Sequence, residues 1–112
     1  VVVHRFVLSV VTVVASVVQT PACFSGEIAS GRQAEIVNMV VQDCGSCHGM
    51  TLKGGLGPAL TPDAIAEKHN DMLVGTILYG RSGTAMPPWK TFLTEDEARW
   101  LVDKLKQGEI KR

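Results

Sequence analysis

The run Cys44-Gly45-Ser46-Cys47-His48 constrains this chain more than any other stretch. Two thiols three residues apart, followed at once by an imidazole, form the attachment signature of a c-type haem. At the end of a helix Cys44, Cys47 and His48 project from one face, because positions three and four apart are neighbours there. Both sulfurs can then reach one edge of a porphyrin while the imidazole points at its iron. A bare Cys-x-x-Cys has other readings. A thioredoxin-like redox pair belongs at a helix start after a strand in a βαβ setting, and no such pattern surrounds this motif. A structural zinc site needs four ligands. His69 would have to join Cys44, Cys47 and His48 across a gap that carries no second pair.

The length and composition suit a chain built around a cofactor. At 112 residues there is room for one domain, and a domain this short buries a modest share of its surface. Phe6 and Phe24 fall in the N-terminal region, which leaves Tyr79, Trp89, Phe92 and Trp100 as the aromatics of the folded part. That is a thin core, and a covalently held haem supplies the missing large apolar body.

Residues 1–26 read as an export signal and leader ahead of a domain over 27–112. His4 and Arg5 make a sparse basic start. Phe6 to Val18 is an apolar run broken only by Ser9, Thr12 and Ser16, and Gln19-Thr20-Pro21-Ala22 is a small-residue cleavage zone. The run is shorter than the roughly 20 residues a spanning helix needs, so cleavage after Ala22 or within the next few residues is expected, with release into the periplasm and no membrane attachment. Cys23 offers an alternative as a lipoprotein acceptor, anchored by acyl chains. Thr20, where a Leu-like residue is usual, and Pro21 speak against it, and Cys23 otherwise leaves with the signal or sits in the leader. The chain has 11 basic and 11 acidic side chains, and loss of residues 1–22 removes Arg5 and no acid. That balance excludes nucleic acid as a partner, since phosphate binding needs clustered Lys and Arg. The expected state is a monomer.

Ile36, Val37, Val40, Val41 and Cys44 form one apolar stripe at helical spacing, predicting a helix from about Arg32 into the Cys-x-x-Cys-His motif, with Ser30 or Gly31 as its cap. Met39 lies beside the stripe as packing. The glycine-rich stretch Gly49 to Leu60 predicts a loop that can pass close to a flat cofactor. Pro58 can offer its carbonyl to the second ring nitrogen of His48, as ligating imidazoles require; otherwise Gly57-Pro58 is merely a turn. Thr61-Pro62-Asp63 is a helix start, running to about Lys68. Asn70 caps a second helix over Asp71 to Tyr79, which Gly80 ends. His69 is a solvated junction residue. Thr94-x-x-Glu97 is a capping box for a last helix with Ala98, Leu101, Val102 and Leu105 on its buried face, closed by Gly108 and followed by a frayed end.

Met86 precedes Pro87 and is therefore held out of the α region on a stiff loop. A thioether presented this way suits the sixth coordination position of an iron, opposite His48. Met50 stands too near His48, and Met39 and Met72 lie within helices. His/Met ligation raises the reduction potential and closes the coordination sphere, which suits outer-sphere electron transfer. Trp89 and Arg81 have the donors to hold haem propionates; the alternative is a packed Trp89 and a solvated Arg81.

The haem motif, the Gly57-Pro58 loop, the Met86 loop and the terminal helix, in that order, resemble the class I monohaem cytochromes c. More narrowly, the stretch Gln42 to Leu60 together with Gly83-Thr84-Ala85-Met86-Pro87-Pro88-Trp89 resembles the cytochrome c55X group, over roughly Glu35 to Gln107. The resemblance implies a small all-α class I cytochrome c fold, about four helices wrapped around one covalently bound haem c. Cys44 and Cys47 would carry the thioethers, His48 would be the proximal and Met86 the distal ligand. It also implies a small periplasmic cytochrome encoded beside cytochrome cd1 nitrite reductase in denitrifying bacteria, passing electrons to that reductase or helping to mature its haem d1. Many class I cytochromes carry a Gly and an aromatic where the first helix crosses the last. Ile36 and Val40 occupy that stripe here, leaving the closeness of the crossing open, with Trp100 able to fill from the other side. Three functions follow: an electron carrier, a haem d1 maturation factor, and a haem enzyme or gas sensor, the last requiring Met86 to be displaced from the iron.

Overall fold

The last helix is written most plainly in the sequence and organises the rest. The computed structural model describes residues 26–111. The leader expected over residues 1–26, with Cys23 and its lipid-acceptor reading, lies outside them but for Gly26, as does Arg112. Five α-helices occur in chain order among the described residues: α1 (Ser30–Met39), α2 (Gly45–His48), α3 (Pro62–Ile65), α4 (Asn70–Tyr79) and α5 (Glu95–Gln107), with a π-helical turn, Val40–Cys44, joining α1 to α2. The described residues are helical with no strand, the all-α architecture expected.

Helix α5 starts on the reciprocal capping box. The Glu97 N–H donates to Thr94 Oγ1 (3.2 Å) and the Thr94 N–H to Glu97 Oε2 (2.8 Å). Three acids in its first turn and Lys104 and Lys106 in its last match the helix dipole. Ala98, Leu101, Val102 and Leu105 are buried, each larger side chain stabilising by roughly 2 kcal/mol. Gly108 ends the helix in the left-handed region, and the Glu109 N–H closes on the Lys104 carbonyl at 3.0 Å. The tail is not frayed at once, contrary to expectation. Lys104 Nζ binds Glu109 Oε2 at 2.5 Å, and Ile110 packs against the core.

Helix α1 begins two residues earlier than predicted, and neither Ser30 nor Gly31 is its cap. Ala29 is, with no side-chain hydrogen bond; Gln33 Nε2 instead donates to the Ile28 carbonyl at 2.7 Å. The π turn that follows, in which the Gly45 N–H reaches back five residues to the Val40 carbonyl, inserts one residue more than an α-helix would use. Such turns resize a helix at functional sites, and this one sets the phase at which Cys44, Cys47 and His48 emerge. Helix α3 stops at Ile65 rather than Lys68, and His69, not Asn70, caps α4. Asn70 Nδ2 instead donates to Asp103 Oδ1 on α5 at 3.0 Å.

Helices α4 and α5 form the most extensive pair, and α3 also lies on α5. No comparable backbone approach brings α1 to α5. Ile36 and Val40 are buried in the cluster that holds Ala98, Leu101 and Val102, and their bulk keeps those two backbones apart. Trp100, half-buried, packs on the same cluster. No aromatic is fully buried among the described residues, so the core is as thin as the composition implied. Polar contacts reinforce the α1–α5 junction. Arg32 donates from Nε to Glu97 Oε1 (2.6 Å) and from Nη2 to the Phe92 carbonyl (2.6 Å).

Candidate haem-binding site

The loop after α2 folds back onto the imidazole. The Gly54 N–H donates to the His48 carbonyl and the Gly57 N–H to the Cys47 carbonyl, each at 2.8 Å. Leu52 takes a left-handed conformation, φ 59°, costing of order 1 kcal/mol for a non-glycine residue. Its buried side chain offsets that strain and anchors the loop in the core. At the loop's end the Pro58 carbonyl stands 2.7 Å from His48 Nδ1. Nδ1 must therefore carry the proton, which leaves Nε2 as the free lone pair. Gly57 lies flat against the ring, where a Cβ would fall 2.8 Å from Cε1 and 2.9 Å from Nδ1. Any side chain there would push the imidazole off the Pro58 carbonyl.

Cys44 and Cys47 are both free thiols. Cys44 packs against the core, and burial, with the neighbouring Asp43 carboxylate adding to it, pushes its thiol up to about 11. A thiol so protonated is a poor nucleophile, unlike the electropositive, partly exposed cysteines of redox pairs. His69 is exposed at the start of α4, and no group of three or more His, Cys, Asp or Glu side chains among the described residues converges as a metal site.

The Met86 loop is held mainly by its ends. Gly80 stops α4 at φ 69°, and a Cβ there would lie 2.6 Å from the Met86 carbonyl and 2.9 Å from Pro87 and Pro88 backbone atoms. Beyond the prolines, the Trp89 and Lys90 N–H groups donate to the Ile77 and Leu78 carbonyls of α4 (3.0 and 3.1 Å). Between these ends, Met86 N–H reaches Thr84 Oγ1 and Arg81 N–H reaches the Met86 carbonyl, both at 3.3 Å. The Met86 side chain is half-buried. Trp89 is half-buried on the core with its ring 5.7 Å from that of Phe92, and Arg81 is exposed with no ion pair among the described residues.

Two positioning residues escaped the sequence reading. Gly80 was legible as a helix stop but not as the seat of the Met86 backbone, and nothing local tied Arg32 to partners 60 and 65 residues away. The donor set fits haem c: two free thiols, an imidazole oriented through Nδ1, a thioether on a separate stiff loop, and an apolar Leu56 that is 95% exposed beside Gly57.

Residues 31–103 match the family described as cytochrome c oxidase, cbb3-type, subunit III. The chain is 58% identical over 79 residues to a cytochrome c55X of Pseudomonas aeruginosa, covering 70% of this chain and 66% of that one. It is 47% identical over 94 residues to the cytochrome c55X of Stutzerimonas stutzeri, covering 84% and 83%. A solved structure, the c-type cytochrome NirC, superposes with a TM-score of 0.73 at 54% identity over 75% of this chain and 99% of that one. A dihydro-haem d1 dehydrogenase, NirN in complex with DHE, matches at a TM-score of 0.57 and 33% identity over 62% of this chain and 15% of that one. The spacing of the haem motif, the helical architecture around it and these matches agree: the chain belongs to the class I c-type cytochromes, in the cytochrome c55X group.

Proposed function

We propose that the chain is a periplasmic one-electron carrier, in which Cys44 and Cys47 bind haem c through thioethers, His48 is the proximal ligand and Met86 the distal one. The observation that carries this reading is the 2.7 Å contact from Pro58 O to His48 Nδ1, which orients the imidazole and leaves Nε2 for iron. Bound there, haem c supplies an iron couple that exchanges one electron at a time, with a potential raised by a Met partner. The protein's part is to hold and shield. Cys44 and Cys47 would hold the group through their thiols, Gly57 and Pro58 keep the imidazole plane, and the exposed Leu56 beside Gly57 would offer the group an apolar contact. With Met86 as the sixth ligand, no acid–base or nucleophilic constellation lies beside the site among the described residues, and the site suits a carrier rather than an enzyme. The partner in this reading is cytochrome cd1 nitrite reductase. The visible spectrum of the reduced protein, before and after carbon monoxide, tests it. A c-type spectrum that carbon monoxide leaves unchanged is expected; ready binding would remove Met86 from the iron and favour the sensor or enzyme reading.

A second reading, service in haem d1 maturation, has its own support: 31% identity over 83 residues to the dihydro-haem d1 dehydrogenase of Pseudomonas aeruginosa, a match spanning 17% of that protein. A dehydrogenation releases two electrons, which one-electron carriers must remove in turn. Rapid reduction of the oxidised holoprotein by that enzyme and its substrate would support this role, and reaction with the nitrite reductase alone would exclude it.

A further inference from the structure

The charges of this chain balance overall but not locally. Between Met72 and Thr94 the sequence has Arg81 and Lys90 and no Asp or Glu, in a chain with 11 basic and 11 acidic residues. Arg32, Arg99 and Lys104 each meet a carboxylate; Arg81 and Lys90, like Lys53, Lys68, Lys106 and Lys111, meet none among the described residues, and what sets Arg81 and Lys90 apart is the acid-free segment that holds them. The same segment exposes two aromatic rings, Tyr79 at 67% and Phe92 at 58%. Lys90 Nζ lies 5.6 Å from the centre of the Tyr79 ring, and Phe92 pairs with Trp89. Lys90 and Tyr79 are thus in direct contact, and Arg81 and Phe92 stand exposed within two residues of them in the chain.

The Trp89–Phe92 end of this face is fixed. The Trp89 and Lys90 amides are bonded to α4, and the Phe92 carbonyl accepts from Arg32 at 2.6 Å. Ordering loops and side chains is a principal cost of association, and the backbone at Lys90 and Phe92 has already met its share. Exposed aromatics beside Arg are enriched where proteins meet, and charge sets the encounter rate and the choice of partner.

We propose that the face formed by Tyr79, Arg81, Lys90 and Phe92 is a docking surface for a protein partner whose own contact face carries carboxylates around an apolar patch. Resting on the carrier reading, it assigns electron exchange to the Met86 side of the molecule. Local charge, not the near-zero net charge, then governs approach.

The test compares oxidation of the reduced holoprotein by ferricyanide and by tris(phenanthroline)cobalt(III), at low and high salt, with shifts of backbone amide resonances on adding poly-L-glutamate. Ferricyanide accepts one electron to become ferrocyanide, and the cobalt complex falls to cobalt(II). Wild type is expected to react faster with ferricyanide at low salt, with salt removing the advantage, because the Debye length shrinks to about 10 Å at 0.1 M. The double variant R81E/K90E is expected to slow ferricyanide about tenfold and to speed the cobalt complex. Lys68→Glu, the same charge change per residue between α3 and α4, is expected to change either rate less than about twofold. Poly-L-glutamate is expected to shift amides of residues 79–92 in wild type and not in R81E/K90E. Equal effects of Lys68→Glu and of either single substitution, Arg81→Glu or Lys90→Glu, or shifts centred on α5, would overturn the docking face. A wild type that exchanges electrons with neither oxidant would instead remove the carrier reading, with the poly-L-glutamate footprint still deciding the surface.

Discussion

The two loops that flank the candidate iron site are built in opposite ways. The loop after His48 is stitched through its middle: backbone bonds of 2.8 Å from Gly54 and Gly57 return to His48 and Cys47, and Pro58 holds the ring at 2.7 Å. The Met86 loop is anchored at Gly80 and at Trp89 and Lys90; within it Thr84 closes a turn on the Arg81 carbonyl at 2.8 and 3.1 Å, but the Met86 backbone itself is held by two bonds of 3.3 Å. The imidazole is thus oriented before any cofactor arrives, whereas the thioether is merely kept within a short segment. A protein so arranged should lose its cofactor only through damage on the first side and change its ligand chemistry through damage on the second.

The largest effect expected is therefore on the His48 side. Cys47→Ala should abolish most recovery of stable holoprotein, because on the proposed reading it removes one of two haem attachments and, with it, the large apolar body that a core without buried aromatics among the described residues lacks. Haem staining and the thermal midpoint of the purified variant report both losses, and wild-type yield would show that the protein folds without the cofactor as core. Next comes Met86→Ala, which should keep haem attached but let carbon monoxide bind and lower the potential. An unchanged spectrum and potential would place the sixth ligand elsewhere. Gly80→Ala should act in the same direction but less strongly. Its positive φ costs about 1–2 kcal/mol for an L side chain, and its Cβ would meet the Met86 carbonyl at 2.6 Å. Partial carbon monoxide binding with the motif's haem content intact is the outcome that separates the two loops; loss of haem would mean that they are coupled.

The contrast also explains what could be read from the sequence. Signals that act within a few residues were legible: the Thr94–Glu97 box and Gly108 bounded α5, Gly80 closed α4, and Pro58 was found as the partner of His48. What depends on chain brought from elsewhere was not. The π turn at Val40–Cys44 was invisible because Ile36 and Val40, the core residues leading into it, keep ordinary α-helical spacing, and the residue types that follow do not mark one added residue. Ala29 displaced Ser30 as cap, and Asn70 gave up its capping role, because bonds made by Gln33 and by Asp103 settle those ends instead. Ile110 was read as part of a fraying end because its packing surface lies on α1 and α5, not on its neighbours in sequence. The Met86 loop was found by its prolines, but the seat that Gly80 makes for it was not.

The smallest effect on the iron should come from the junction farthest from it in role, and it provides the control for the others. Glu97 accepts from Arg32 and from the Thr94 amide, and Arg32 first, with Thr94 adding to it, holds its carboxyl below the ordinary value of 4.5 against a smaller opposing effect of burial. A carboxyl whose pKa is lower folded than unfolded binds fewer protons in the folded state, so its contribution is complete above the unfolded value and disappears as pH falls through the folded one. Glu97→Gln should therefore unfold at lower denaturant than wild type at pH 7, and the two should converge as pH drops below about 4.5, toward the range where wild-type Glu97 is itself protonated. The reduction potential and carbon monoxide response should stay at wild-type values, since Arg32 and Glu97 fasten α1 to α5 and meet the Met86 side only beyond its Trp89 and Lys90 anchors, at the Phe92 carbonyl and the Thr94 amide. A stability gap that persisted unchanged to low pH would show that the junction works through shape, not charge. A shifted potential would show that the α1–α5 junction reaches the iron through the π turn, and the two-loop description would then need a third part.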